Sequence, residues 1–506
     1  MLKANIPDSR MRLEAVEFYC KYGPMRRTAD QIIDDIYASE EGPGVVAFFD
    51  FDNTLIAGFS AKSFLLEQLR SGTMSAGGAG SQLTAALKFS RGDLNFSGLI
   101  AKTAQAMRGQ REEEYEALGE EIHRKSLAGA IYPEARRLLD AHRSMGHTIA
   151  IVSSATKYQI IPTARELDIE YILCTELEVR DGVFTGRAHS PTCFGNGKLW
   201  AAEDFCAEFD GDLTTAFFYT DSADDLPLVE KVGRPRIVNP DKELKKQALR
   251  RGWSVTDFKS RGRPDVATVA RTAASYGLLP TVLAATAPLS VLKGDKRPAL
   301  NAASSIWTEL ASMMLGISID VEGRHYLTSD RPAVFIFNHQ SSVDALIIAK
   351  LVGKDYTGIG KAEIKSFPII GPALQYTDMV FVDRSNTQNA IEAMKPVVDA
   401  ITEEGLSVCI APEGTRSTGR KLGPFKKGPF HIAMQAGVPI VPVVIHNAAD
   451  ALPKGQNIVR SANIKVTVLQ PIDVSDWTLK NMTKKIDAVR AEYLETLGQT
   501  DYAEAS

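Results

Sequence analysis

Short apolar runs set the frame of this chain. Residues 45–49, Val-Val-Ala-Phe-Phe, open directly onto Asp50, and runs at 148–152 and 214–219 lead to Ser153 and Asp221. Four more follow at 333–337, 379–382, 407–411 and 438–445. Runs this short, with no polar alternation, read as strands buried on both faces, and such strands belong to parallel sheets covered by helices. The expected fold class is therefore α/β. At 506 residues the chain exceeds the roughly 250–300 that one hydrophobic core sustains, so two domains are expected.

Composition narrows the class further. With 44% apolar and 24% charged residues, the chain is neither disordered nor a polytopic membrane protein. A net charge of −4 gives no overall attraction to nucleic acid, and no such partner is expected. Cys20, Cys174, Cys193, Cys206 and Cys409 are scattered without zinc or disulfide spacing, which suits a reducing cytoplasm. Residues 1–27 carry Asp8, Glu14 and Glu17 and no signal-length apolar core, so no export is expected.

Residues 56–140, between the first two runs, show helix-like patterns with a Gly/Ser-rich break at Ser71–Gly80, as expected of a helical cap inserted over a site. From Lys231 to Arg271 twelve Lys and Arg face four acids. Residues 272–292 are then free of charge, and Glu309 is the only charge in 298–319. Pro280 and Pro288 dilute the apolar character, so helices lying in a membrane interface are expected rather than a full crossing. Beside them, the basic run would attract an anionic lipid surface.

Asp50-Phe51-Asp52-Asn53-Thr54 places two carboxylates at the C-terminal end of the first strand, where parallel sheets present ligand sites. Such a D-x-D-x-T match arises by chance in roughly one chain in ten, and Asp52 or Thr54 alone would also serve as a helix cap. The later elements decide. Ser153 ends the second run, Lys198 lies in Gly-Asn-Gly-Lys, and Asp221-Ser-Ala-Asp-Asp225 follows Phe217-Phe-Tyr219. A carboxylate attacking a phosphate dianion needs a cation held by oxygen ligands, for which Asp221 and Asp225 are suited, and an ammonium, Lys198. Ser153 can donate a hydrogen bond to a phosphoryl oxygen. Asp52 can protonate the leaving oxygen and then activate water.

This ordered set resembles the haloacid dehalogenase superfamily, in the subgroup of phosphoserine phosphatases. The resemblance implies an Asp50 nucleophile forming an aspartyl phosphate, Asp52 as acid and base, and Mg²⁺ held by Asp50, Asp52, Asp221 and Asp225. The chain departs from that subgroup in substrate-facing places: Leu55–Phe64 holds no acid, Ser154-Ala155 replaces Gly-Gly, and Thr220 replaces a glycine.

In the second half, Asn338-His339-Gln-Ser-Ser-Val-Asp344 follows the run 333–337. Five helical residues turn about 500° and would separate the two side chains. A His339–Asp344 pair therefore requires the histidine in the loop and the aspartate in the helix's opening turn, with Ser341 or Ser342 as cap. Asp344 would then hold Nδ1–H and leave Nε2 free as a base. Further on come Phe381-Val-Asp-Arg384, Glu413-Gly-Thr-Arg-Ser417 and Val438-Pro-Ile-Val-Pro442. Arg384 and Arg416 offer phosphate-binding forks, with Lys361, Lys426 and Lys427 as supplementary charges.

Together these blocks resemble the glycerolipid acyltransferases, specifically lysophosphatidic acid acyltransferases, over about 300–490. The resemblance implies acyl transfer from acyl-CoA, or acyl carrier protein, to lysophosphatidic acid. His339 would be the base and Asp344 its orienting partner, with Arg384, Glu413, Gly414, Thr415 and Arg416 shaping the phosphate pocket. The implied layout is a helical extension at 1–44, a Rossmann-like phosphatase domain at 45–257 and a basic linker leading into interfacial helices at 258–298. An acyltransferase domain at 299–495 and a polar tail complete it, on the cytoplasmic face of the membrane. Two alternatives stay open: a phosphoserine-type phosphatase as the principal activity, or a first domain that only binds phosphate.

Overall fold

The computed structural model describes residues 26–72, 80, 84–85, 96–262, 264–361, 365–366, 370–377, 379–382, 395–417 and 419–499. The extension before residue 26, most of the Gly/Ser-rich stretch, Arg384 and the end of the tail lie outside them. The chain divides into two compact units, Met1–Gly262 and Arg263–Ser506.

The first unit is built on a parallel sheet of order β3-β2-β1-β6-β7-β8: β1 Val46–Phe49, β2 Thr148–Thr156, β3 Tyr171–Thr175, β6 Phe217–Thr220, β7 Arg234–Val238 and β8 Val255–Thr256. Alternate residues of β1 feed opposite faces. Ala47 and Phe49 enter one core with Tyr219, while Val46 and Phe48 enter the other with Phe218 and Phe205. Both faces being buried, neither tolerates polar residues, which is why these runs are continuously apolar. Helix α1 (Ala29–Tyr37) also contributes Ile32 and Ile36 to the first of these cores, so the described end of the expected extension packs into the domain.

The insertion is closed at its base by an Ile56–Ile131 bridge and by Ala57 N–H donating to the Ala130 carbonyl at 2.9 Å. It holds α2 (Ser60–Arg70), α3 (Phe96–Met107) and α4 (Glu112–Ile122). The expected bound near residue 140 runs too far, because α5 (Pro133–Ser144) packs on β2 as a sheet-covering helix. An antiparallel hairpin, β4 (Leu177–Arg180) with β5 (Val183–Ala188), joins the insertion through Gly109 N–H to the Phe184 carbonyl.

The second unit has a sheet of order β12-β11-β13-β10-β14-β15-β9: β9 Ile317–Glu322, β10 Val334–Phe337, β11 Tyr356–Lys361, β12 Val380–Val382, β13 Ser407–Ile410, β14 Ile440–Ile445 and β15 Ala462–Val468. Only the β14–β15 pairing is antiparallel among the pairings observed. Again alternate residues divide between two cores: Phe335 and Val443 on one face, Val334, Ile336 and Val444 on the other.

The uncharged stretches form α8 (Val266–Thr286), α9 (Pro288–Lys293) and α10 (Arg297–Leu315), following α6 (Lys157–Glu166) and α7 (Asn196–Glu208) of the first unit. Helices α8 and α10 share a small core of Val282, Leu283, Leu300 and Ala303. Across α8, α9 and α10, Val266, Val291, Leu292 and Met313 are exposed. By length and composition Val266–Lys293 is apolar enough to cross a membrane.

The start of the expected linker, at residue 258, requires a correction. Ten of its twelve cations precede residue 263 and lie in the first unit. Arg234 and Arg236 lie over the Phe217 ring at 4.9 and 5.2 Å, and Arg261 donates to the Gly129 carbonyl at 2.9 Å. Arg234, Arg236 and Arg261 thus pack within the first domain, their long stems finding apolar and carbonyl partners there, while Lys231, Lys242, Lys246, Arg250, Arg251 and Lys259 are exposed.

Candidate active sites

In the first unit, β2, β1 and β6 lie side by side, with Phe49 level with Ile151 and with Tyr219. That register carries Ser153, Asp50 and Asp221 to one edge of the sheet. Asp50 is 6% exposed and its N–H donates to the Tyr219 carbonyl at 2.9 Å. Helix α7 buries Lys198, whose Nζ lies 2.9 Å from Asp50 Oδ1 and 2.8 Å from Asp225 Oδ2. Burial alone would release the Lys198 proton, but Asp225 and Asp50 outweigh it and raise the pKa above its ordinary value. Lys198 is therefore a fixed cation beside the candidate nucleophile.

Asp52 is braced by the start of α2. Ser60 N–H donates to Oδ1 at 2.8 Å and Ser60 Oγ to Oδ2 at 3.3 Å. With Asp52 ionised, the direction is set. Gln159 Oε1 accepts from Thr156 N–H, so Gln159 Nε2 must donate to Ser60 Oγ, at 3.0 Å, leaving the hydroxyl hydrogen for Asp52. Burial, joined by repulsion from Asp50, pushes the Asp52 carboxyl up to about 7, as suits an acid near neutral pH. Ser153 is 1% exposed and its Oγ accepts from Ala155 N–H at 3.2 Å, which leaves the hydroxyl free to donate elsewhere.

The donor set fits a hard cation. Four carboxylates surround one ammonium, and burial with repulsion from Asp50 and Asp225 pushes Asp221 up to about 8. That surplus of anionic oxygen suits Mg²⁺. Yet among the described residues no three Asp, Glu, His or Cys side chains group as ligands. Asp225 Oδ2 is shared by Lys198 and by Thr220 Oγ1 at 2.6 Å, and Asp52 is held by Ser60. Asp50 Oδ1 likewise carries Lys198 and the Phe51 N–H, at 2.9 and 2.8 Å. The departure at Thr220 thus has a purpose: its hydroxyl anchors Asp225.

In the second unit, β10 ends at Phe337 and His339 stands in the following loop. Its Nδ1 lies 2.8 Å from Asp344 Oδ2. Asp344 is the first residue of α11 (Asp344–Val352) and is fully buried. The same oxygen accepts from Gln340 and Ser341 N–H at 2.8 and 2.9 Å. The expected serine cap takes another form: Asp344 reaches back to the loop N–H groups, while Ser341 Oγ accepts from Val343 N–H at 3.1 Å and donates to the Leu452 carbonyl at 2.8 Å. Asn338 fixes the loop from the other side, exchanging bonds of 2.7 and 2.8 Å with Ile445. The imidazole edge facing away from Asp344 is left accessible, the side chain being 27% exposed.

Glu413 requires a second correction. The resemblance placed it in a phosphate pocket, but it is 6% exposed and both oxygens are filled by backbone. Oε1 accepts from His339 N–H at 2.7 Å and Oε2 from Gly423 N–H at 2.9 Å. Ser417 N–H donates to the His339 carbonyl at 2.7 Å. The Glu413–Ser417 loop therefore clamps the histidine backbone at both its N–H and its carbonyl. Arg416 donates to Ser342 Oγ at 2.6 Å, which brings its guanidinium beside the loop, and Thr415 is exposed. Gly414 has φ +72°, and a Cβ there would meet the Lys426 stem at 3.0–3.1 Å. Glycine thus lets that lysine cross the loop.

A cavity of about 190 Å³ lies in the same unit, lined by Leu279, Leu283, Leu300, Trp307, Phe337 and Met379 among others. The Phe337 ring stands edge-on to His339 at 5.9 Å. The sequence reading did not find this cavity, nor the Ser60–Gln159 brace. Nothing local marks Ser60, and the cavity is assembled from segments far apart in the chain.

Two family models match the chain: haloacid dehalogenase-like hydrolase over residues 47–230 and acyltransferase over 318–446. The 1-acyl-sn-glycerol-3-phosphate acyltransferase of Limnanthes alba is 32% identical over 231 residues, covering 46% of this chain and 79% of that protein. The human alpha form of that enzyme is 33% identical over 181 residues, covering 36% of this chain and 64% of its own. The crystal structure of the Thermotoga maritima 1-acyl-sn-glycerophosphate acyltransferase, PlsC, aligns at 23% identity and TM-score 0.39, covering 46% of this chain and 97% of that one. Fold, sites and matches define a two-domain α/β enzyme, a hydrolase-type domain followed by a transferase. The chain belongs to the 1-acyl-sn-glycerol-3-phosphate acyltransferase family and carries a haloacid dehalogenase-like hydrolase domain ahead of its acyltransferase domain.

Proposed function

We propose that the second domain makes phosphatidic acid by transferring an acyl chain from acyl-CoA, or acyl carrier protein, to the free hydroxyl of lysophosphatidic acid. The observation that carries this is the 2.8 Å contact between His339 Nδ1 and a buried Asp344 oxygen. Asp344 fixes the imidazole so that Nε2 takes the acceptor's hydroxyl proton as its oxygen attacks the thioester carbonyl. When the tetrahedral intermediate collapses, the C–S bond breaks and the imidazolium returns the proton to the departing thiolate. The apolar cavity beside Phe337 suits the acyl chain. Arg416 with Gly414 and Thr415, joined by Arg384, would hold the acceptor phosphate, and Glu413 would keep His339 in place. The exposed apolar residues of α8–α10 support a peripheral position on the cytoplasmic membrane face, where the lipid acceptor resides.

The first domain, in the same reading, hydrolyses a phosphomonoester. Asp50 attacks phosphorus and the leaving oxygen takes a proton from Asp52, which then accepts one from the water that cleaves the aspartyl phosphate. Lys198 and Ser153 offset charge on the phosphoryl oxygens. Mg²⁺, with Asp50, Asp52, Asp221 and Asp225 as its candidate ligands, would supply charge neutralisation when bound.

Thiol release from acyl-CoA in the presence of lysophosphatidate tests the main claim. His339→Ala should lower it by roughly 10²–10⁴-fold, while Asp50→Asn leaves it unchanged. Retained transfer in the histidine variant would overturn the reading.

A further inference from the structure

The hydrolase domain carries a surface that its chemistry does not use. Helix α2 begins at Ser60, fully buried and bonded to both oxygens of Asp52. Phe64 and Gln68 face inward with it. On the opposite face Phe59, Leu66 and Leu69 lie at spacings of seven and three, one stripe of a helix. Phe59 is 63%, Leu66 56% and Leu69 42% exposed. Lys62 and Arg70 flank the stripe, exposed and without an ion pair among the described residues, whereas the neighbouring Glu67 is neutralised by Lys125 at 2.7 Å. An apolar stripe edged by unpaired cations thus starts one residue from the brace of the candidate acid. That combination is complementary to an anionic lipid surface.

The chemistry of the chain points to the same surface. In the reading above, the acyltransferase's acceptor and product are both phosphomonoesters of glycerol lipids, the kind of bond Asp50 would cleave. The segment Leu55–Phe64 holds no acid that would pair with the ammonium of an amino-acid phosphate.

We infer that the first domain is a glycerolipid phosphomonoesterase, with the α2 stripe seated on the lipid surface that presents its substrate. The inference rests on the proposed hydrolase reading and extends it to a substrate class. The balance is simple. The lipid C–O–P unit loses its P–O bond to Asp50, the glycerol oxygen leaves with the Asp52 proton, and one water releases inorganic phosphate and restores both carboxyl groups. Acting on lysophosphatidate, the domain would remove the acceptor of acylation; acting on phosphatidate, it would consume the product.

The test is phosphate release by the full chain with Mg²⁺. Its substrates are phosphatidylcholine vesicles containing lysophosphatidate or phosphatidate, soluble p-nitrophenyl phosphate, and phosphoserine. We expect release from at least one lipid, lost in Asp50→Asn, with kcat/KM above that for phosphoserine; the faster lipid identifies the source. The double variant Leu66→Glu, Leu69→Glu should lose roughly tenfold or more on vesicles, yet match the wild type on p-nitrophenyl phosphate, which also shows that it is folded. Asp50-dependent cleavage of p-nitrophenyl phosphate with no release from either lipid would overturn the inference alone. Equal rates for the double variant and the wild type on vesicles would do the same. No hydrolysis of any substrate would remove the hydrolase reading as well.

Discussion

At the scale of single residues, Glu413 separates what the chain can tell from what only its fold reveals. His339 and Asp344 are five apart in sequence, so their pairing follows from a loop-then-helix layout that local pattern exposes. Glu413 acts 74 residues from His339, through that residue's backbone N–H, and no spacing rule reports such a contact. Its two oxygens accept two backbone N–H groups, so Glu413→Gln must turn an amide NH₂ toward one of them. The loss of a buried bond of this kind costs about 1–3 kcal/mol, and a displaced base can slow chemistry by up to about 10²-fold. The expected outcome is a lowered melting temperature and a lowered kcat for acyl transfer with the KM for lysophosphatidate little changed. A rise in that KM with kcat intact would instead return Glu413 to the phosphate pocket.

Among the elements, the strands were the most legible, because burial on both faces leaves continuous apolar runs. All seven expected strands are present, shifted by a few residues at their ends. Among those missed, β9 and β15 lie together at one end of the second sheet and alternate buried with more exposed residues. The cap was legible only as an insertion. One of its anchors to the sheet-covering helices is Glu166, at the end of α6. Glu166 meets His123 at 2.9 Å and Arg136 of α5. Burial alone would raise the pKa of this carboxyl, but Arg136 and His123 outweigh it and hold it down at about 2, against an ordinary 4.5. A depressed folded-state pKa contributes stability that is complete above about 4.5 and fades as pH falls toward about 2. Glu166→Gln should therefore cost about 3–5 kcal/mol near neutral pH, the penalty for stranding one partner of a buried pair. The gap in stability between variant and wild type, followed by urea titration, should shrink as the pH is lowered from about 5 towards 2. A gap independent of pH would show that Glu166 acts through packing alone.

For the whole molecule, the order of motifs disclosed two enzymes in one chain, but the boundary between them did not follow from composition. The expected linker began at residue 258, a few residues early, because charge was counted along the sequence, whereas Arg261 is held at the Gly129 carbonyl inside the first unit. The division falls at Gly262, and each side has its own two-faced core: Phe49, Tyr219, Phe48 and Phe218 before it, Phe335, Val443, Val334 and Val444 after it. Every residue placed in the acyl-transfer site, from His339 to Arg416, and every described residue lining the apolar cavity lies after that point. A chain of residues 263–506 should therefore fold cooperatively and retain acyl transfer at a rate within an order of magnitude of the full protein, measured at equal lipid concentration. Its His339→Ala variant should be as impaired as in the full chain. Should the shortened protein fold, by circular dichroism, yet transfer no acyl group, the first domain would be a regulatory partner of the second, and the two activities could no longer be treated as separate catalysts joined by one chain.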